Sequence, residues 1–516
     1  MTRNGLIATC FVCLLIAGTG RAHGLDPSRH ITQYAHTSWR IQDGVFSGAP
    51  NAIAQTTDGY LWIGTQNGLV RFDGVRFIPW VPPNGKLLSS GIFSLLAEPD
   101  GSLWIGTGRN LARFKDGTLI NYTGATGRVN AILKRNGTVW VTRSRFGDGG
   151  GPLCEVVDTS LRCYGKADGI ARPYAGPAID DGEGNLWIGS ANFLTRWRPG
   201  SSTTMEPPGL KGAEGLSGVQ ALAVTGDGSI WAGINRRGPG LGLQQLSHGV
   251  WKPFVAAKLD GSTLEVTTLF LDHRGTLWVG TTDEGIYRIN GGKTDRFSSA
   301  DGLSGDSVSG FCEDREGNLW VATSEGVDYL RNIPVITFST HEGLSANFVY
   351  SVLAARDGTV WIGNHGALEF LGQAGLSSIR AKNGLPGERV TSLLEDHAGR
   401  LWVGVDNELY VYDGGKFRQV RHPKSAPLGV ITAIAQDRDG TVWAEAMGSP
   451  TKLVHIQNGE VREEIPAPRV PIANAIAAAP RCGSSGKHQP QLPRSSAEGD
   501  RLRSALCLKD CFNPRI

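Results

Sequence analysis

Along 51–80, "NAIAQTTDGYLWIGTQNGLVRFDGVRFIPW", apolar residues come in short bursts separated by Asp-Gly or Asn-Gly pairs. Bursts of that length bounded by such pairs are the signature of strands joined by tight turns. The pattern predicts strands in "NAIAQT", "YLWIGT", "LVRFD" and "VRFIPW". The Asp-Gly before the Trp supplies the positive-φ positions of a hairpin turn. Composition agrees: 71 Gly, 14 Trp and 3 Met suit many turns between aromatic-rich strands, not a helical protein.

The phrase returns. "DGSLWIGTGRNLARFKDG", "EGNLWIGSANFLTRW", "RGTLWVGTTDEGIYRING" and "DGTVWIGNHGALEFLG" repeat the same order of apolar and polar positions. Its tryptophans are Trp62, Trp104, Trp140, Trp187, Trp231, Trp278, Trp320, Trp361, Trp402 and Trp443. Ten copies of a unit of about 42 residues, each holding four strands, predict the blades of a β-propeller. The ten tryptophans are assigned to packing between neighbouring blades, and the Gly two residues later to close backbone approach.

Trp62 through Trp320 supply seven blades, enough to close a ring over 31–333. "RNIPVITFSTHEGLSANFV" then repeats the opening pattern of "ITQYAHTSWRIQDGVFSGAPNAI", which starts a second propeller at 334–478. It receives three blades, at Trp361, Trp402 and Trp443, and one further strand that begins at 473 and ends by 478. The expected fold is all-β: a seven-bladed β-propeller followed by an incomplete second one, marginal in stability and with apolar faces open on both flanks. A single ten-bladed ring is the rival, outside the usual range of four to eight.

Residues 479–516 break the pattern, with no alternation, no Trp, and seven Lys/Arg against three Asp/Glu. They read as an unrelated disordered tail, with a disrupted reading frame as its expected origin and a natural tail as the alternative. Residues 1–24 carry Arg3, an apolar run from Leu6 to Ala17, and small residues at Gly20, Ala22 and Gly24. This is the pattern of a cleavable secretory signal, which predicts a periplasmic or exported chain without a membrane span. In "LCEVVDTSLRCY" a two-residue turn at Asp158-Thr159 sets Cys154 opposite Cys163, close enough for a disulfide in an oxidising compartment. Two reduced, packed cysteines are the competing reading.

"YAHTSWRIQDGVFSGAPNAIAQTTDGYLWIGTQNGLVRFDGVRFIPW" and the repeated D-x-x-G-x-L-W-[IV]-G-T-x-x-G-[LI]-x-R-[FI] resemble the two-component regulator propellers over about 31–478. Those are extracytoplasmic sensor regions of hybrid histidine kinases and related signalling proteins. The resemblance implies two seven-bladed propellers, a β-sandwich, a membrane span and an output domain, so ten repeats fall short of the pattern. It also implies a non-enzymatic sensor whose partners are a small-molecule or oligosaccharide ligand and a membrane-bound kinase or cyclase output domain. No kinase or cyclase motif occurs in the chain itself. A lyase resembling the streptogramin-cleaving propellers, or a protein-interaction scaffold, are the alternatives.

A net charge of +3 gives no electrostatic footprint for nucleic acid. No cofactor is expected, and no Cys or His pair has metal-ligand spacing. His273 and His397 sit in hairpin turns and are expected to face water. Three second loops in the first ring depart from the short pattern: "VTRSRFGDGGGPL", "GSANFLTRW" and "GINRRGPGLGL". They would gather Arg143, Arg145, Phe146, Asn192, Phe193, Asn235, Arg236 and Arg237 on one face. Guanidiniums there could fork onto an acidic group while the aromatics stack on a sugar ring. That cluster is the expected ligand site, set against solvated arginines on lengthened loops.

Overall fold

The computed structural model describes residues 24–466 except 123–125, 145–149, 171–173, 213–217, 336 and 373–374. The signal-like segment through 23, the further strand at 473–478 and the tail therefore lie outside the described residues. The chain divides into two compact units, Met1–Ile336 and Thr337–Ile516. Each is built from four-stranded antiparallel sheets, and the fold is all-β.

In the first unit, six sheets follow one another along the chain, at 50–80, 92–122, 128–164, 178–205, 219–253 and 266–297. A seventh takes three strands from 308–331 and its fourth from Ala35–Arg40, which runs antiparallel to Gly326–Arg331 with Ala35 opposite Arg331. Chain start and ring end are thus sewn into one sheet. The seventh sheet also reaches the first directly. Ser309 Oγ donates to Pro50 O at 2.7 Å, and Arg315 donates through its backbone to Gln55 Oε1 and through Nη1 to Thr57 O, both at 2.8 Å.

The repeated phrase explains itself at the sheet junctions. Each motif Trp from Trp62 to Trp402 joins the core of a neighbouring sheet. Trp62 packs with Ile92, Leu103 and Ile105 of the second sheet, and Trp320 of the seventh packs with Ile53, Leu61, Ile63 and Phe72 of the first. In four sheets an Asp six residues earlier receives the indole N–H: Trp187 donates to Asp181 at 3.0 Å, Trp278 to Asp272 at 3.0 Å, Trp320 to Asp314 at 3.1 Å and Trp402 to Asp396 at 2.9 Å. The same carboxylates accept N–H groups of the hairpin turn, as Asp272 does from Arg274 and Thr276. The Gly two residues after the Trp faces the first inner-strand residue of the next sheet. A Cβ at Gly280 would lie 2.7 Å from Val308 Cγ1, and one at Gly64 would lie 2.5 Å from Ile92 Cγ2.

The turns are latched as well. His273 does not simply face water: its backbone N–H donates to Glu313 Oε2 at 3.0 Å and its Nδ1 pairs with Glu313 Oε1, both on the following sheet. His397 uses its N–H in the same way, on Gln436 Oε1 at 2.7 Å. In the third sheet Asp158 takes a positive φ of 52°, Val157 pairs with Ser160, and Cys154 pairs with Cys163. A disulfide joins those two cysteines, with Cα atoms 4.0 Å apart.

The second unit holds three sheets among the described residues, at 349–379, 390–419 and 430–466. Its first flank is open, with Phe348 66% and Val352 64% exposed, whereas Ile53 at the place of Val352 in the first unit is 7% exposed. Its last flank corrects the expectation of a bare apolar face. There His455 stacks on Trp443 with centroids 4.6 Å apart, and Glu445 stands where most other sheets carry the junction Gly. Thr432 Oγ1 donates to Glu445 Oε2 at 2.8 Å, where the equivalent Thr391 donates to the next sheet's Ile431 O at 2.7 Å. Polar side chains have taken over the surface a further sheet would cover.

Candidate functional site

Among the described residues of the expected arginine face, Arg143, Asn235 and Arg237 are held by other parts of the first unit. Arg143 is 2% exposed; its Nε donates to Gly151 O at 2.8 Å and its Nη1 to Thr126 O at 2.7 Å. A buried guanidinium needs its donors satisfied, and these carbonyls satisfy them, so Arg143 braces its own loop and is not a ligand donor. Arg237 donates through Nε to Thr263 O at 2.8 Å and through Nη2 to Asp283, at 2.5 Å to Oδ1 and 2.6 Å to Oδ2. Asn235 Nδ2 donates to Thr282 Oγ1 at 2.9 Å. Both therefore clasp the fifth sheet's loop to the sixth sheet. Arg236 is exposed, while Arg145 and Phe146 lie outside the described residues.

Phe193, with Asn192 beside it in the turn of the fourth sheet, leads elsewhere. It lines a cavity of about 300 Å³ together with Ile170, Tyr174, Ile188, Ser190, Thr195 and Thr204. The wall on one side is the fourth sheet, where Ile188 pairs with Thr195 and Thr195 with Thr204. On the other side lies the connection that follows the third sheet. There the short 3₁₀ turn Lys166–Asp168 ends in Gly169 at φ 84°, and Ile170 folds back with its N–H on Gly165 O at 3.0 Å. The Thr195 and Thr204 hydroxyls stand 3.4 Å apart, and Ser190 Oγ donates to Phe193 O at 3.1 Å.

In three other sheets the same place carries a larger side chain. Asp328 pairs across its strands with Val321 as Thr195 does with Ile188, and it is fully buried. It accepts Ser304 N at 2.9 Å, Ser304 Oγ at 2.5 Å and His36 Nε2 at 2.8 Å. Glu369, opposite Ile362 in the eighth sheet, accepts Ser345 N at 2.6 Å, Ser345 Oγ at 2.7 Å and Asn364 Nδ2 at 2.7 Å. In the sixth sheet Tyr287, opposite Val279, occupies the position. The fourth sheet has Thr195 there with Thr204 beside it, and the second sheet has Ala112.

A second cavity of about 670 Å³ lies where the chain enters and leaves the first unit, lined by Gly24, Asp26, Arg29, Arg274, Asn332, Ile333 and Pro334. Two of its polar groups are engaged: Asn332 donates to Gly24 O at 2.7 Å, and Arg29 Nη1 to Ile333 O at 2.7 Å. Among the described residues no group of three or more His, Cys, Asp or Glu side chains is placed to hold a metal ion. Nor is any helix there long and apolar enough to cross a membrane.

The description "Two component regulator propeller" matches the sequence five times, at 44–67, 260–283, 302–325, 343–366 and 384–407. None of the curated proteins compared matches the chain. Among solved structures, the extracellular domain ascribed to a hybrid two component system of B. thetaiotaomicron is similar at a TM-score of 0.58. The two are 18% identical, over 84% of this chain and 66% of that one. A second such domain, from a one component system of the same organism, gives a TM-score of 0.48 at 18% identity, covering 84% and 61%. Virginiamycin B lyase from Staphylococcus aureus gives 0.46 at 16% identity, covering 58% of this chain and 100% of that one. The chain thus spans less than two thirds of the length of the two extracellular domains it resembles.

Proposed function

This chain belongs to the two component regulator propeller family, and on that premise we propose that it is the extracytoplasmic ligand-sensing region of a two-component-type signalling protein. It binds and does not catalyse. The five repeat matches carry the reading, and the cavity beside Phe193 gives it a place to act. The ligand is a small molecule or an oligosaccharide, and the response is passed to a membrane-bound kinase or cyclase output domain. A secretory leader in residues 1–24 puts the propeller on the outer side of the membrane.

Scanning fluorimetry of the full chain against a broad panel of neutral and charged small molecules tests this. At least one compound should raise the unfolding temperature saturably, and Phe193→Ala should abolish that rise. Mass spectrometry of the same compound after prolonged incubation should find it unchanged. A chemically altered compound would favour the lyase alternative, and a panel without any binder would remove the sensing role.

A further inference from the structure

We propose that the leader is cut between Ala22 and His23, so that the processed chain begins at His23. This rests on the leader in the sensing reading above and fixes where that leader ends. The stretch "GRAHGLDP" at 20–27 offers two small-x-small sites for a leader peptidase, Gly20-Arg21-Ala22 and Ala22-His23-Gly24. The local pattern does not rank one above the other; the contacts of Gly24 do. The residue is buried, and its carbonyl accepts Asn332 Nδ2 at 2.7 Å. The oxygen of the same amide, Asn332 Oδ1, takes the backbone N–H of Asp26 at 3.2 Å. Between them Leu25 donates its N–H to Gly317 O at 3.1 Å, and its buried side chain joins the core with Ile31, Tyr34 and Trp278.

The smallness of Gly24 therefore has a use in the fold. A Cβ there would strike the ring of His273, which Glu313 holds in place, and would lie 3.1 Å from Gly317 O. A Cβ on Gly317 would in turn lie 2.5 Å from Gly24 Cα, so the two segments meet backbone to backbone. Cutting after Gly24 would take away the carbonyl that Asn332 Nδ2 donates to. It would also turn the nitrogen of buried Leu25 into an α-ammonium, and a charge withdrawn from water costs far more than the neutral amide it replaces. Cutting after Ala22 leaves both groups as they are. The step is a hydrolysis: water adds across the Ala22–His23 amide, Ala22 leaves with a carboxylate, and His23 keeps the nitrogen as its α-ammonium.

N-terminal sequencing of the full chain, expressed from Met1 in a bacterial host and recovered from the exported fraction, tests the proposal. The sequence read should be His-Gly-Leu-Asp-Pro. An exported chain that starts at Leu25, or at any residue other than His23, would overturn the inference and leave the leader itself standing. A chain kept inside the cell with its first residues attached would remove both. Gly24→Leu should still start at His23, because the substituted residue then lies beyond the cut. Loss of processing in that variant would put Gly24 inside the cleavage site and overturn the inference. Sequencing is done on unfolded protein, so the result does not depend on how well the variant folds. Chains released from a cleavable tag with His23 or Leu25 as first residue test the physical reason. The Leu25 chain should unfold at a temperature at least about 2 °C lower; equal unfolding temperatures would also overturn the inference.

Discussion

Trp278 and Trp231 hold the same place in the repeat and differ by one hydrogen bond. Trp278 donates to Asp272, whereas the buried Nε1 of Trp231 has no acceptor. The residue six before it is Thr225, whose hydroxyl is turned to Asp227 at 2.6 Å. Replacing either indole by Phe removes similar apolar area, but only Trp278→Phe also strips a donor from a carboxylate. We expect Trp278→Phe to cost about 1 kcal/mol more than Trp231→Phe in urea unfolding of the first unit. Asp396 shows what the acid of the motif does with pH. Burial pushes its carboxyl up, but the indole of Trp402 and the backbone and guanidinium of Arg400 outweigh this and hold it below the ordinary 3.8. A depressed carboxyl stabilises the fold above its unfolded-state value, and that contribution disappears as pH falls through the lower folded value. Asp396→Asn should therefore destabilise the second unit at pH 7, and the gap from wild type should narrow below about pH 4 in acid-unfolding curves.

At the scale of the sheet, the junction glycine decides how closely neighbours pack. A Cβ on Gly280 would meet Thr268 Cγ2 at 2.5 Å and Val308 Cγ1 at 2.7 Å, both on branched side chains in strands that cannot retreat independently. The residue lies outside the glycines with positive φ, so the cost of substitution is steric. Gly280→Ala should lower stability by about 1–3 kcal/mol, read from the denaturant midpoint. The seventh sheet shows the exception's cause: it carries Ala322, and the residue it faces across the ring is Pro50 instead of Val or Ile. The third sheet carries Thr142, whose hydroxyl donates to Gly176 O at 2.5 Å. Gly in the sequence marks the close approach; which neighbour it approaches is a property of the junction.

At the scale of the molecule, the two units handle their flanks differently. The first has none, because Ala35–Arg40 completes the seventh sheet and that sheet packs on the first. The second presents Phe348, Tyr350 and Val352 at its opening flank and a polar cover at its last. Equivalent apolar positions should therefore respond in opposite ways. Ile53→Ser should cost about 2–4 kcal/mol by leaving a void and an unpaired hydroxyl in a closed junction. Val352→Ser should change stability by less than about 0.5 kcal/mol while raising solubility. Denaturation midpoints and solubility limits of the two variants check this pair. Equal losses would mean that the flank of the second unit is covered in solution.

Strand periodicity, turn chemistry, repeat length and the partnership of Trp with the following sheet could all be read from the chain. Each is set by residues within one repeat, where alternation and Asp-Gly turns act locally. The hairpin at Cys154 and Cys163 is of the same kind, since a two-residue turn fixes its register. What only the tertiary structure decided is the fate of polar side chains at the junctions. Arg143 looks like a ligand donor in sequence, yet three-dimensional packing brings carbonyls to it and buries it. The cavity beside Phe193 gives no signal in sequence either, because its wall joins the fourth sheet to Ile170 and Tyr174 of the preceding connection, residues that only the fold brings together.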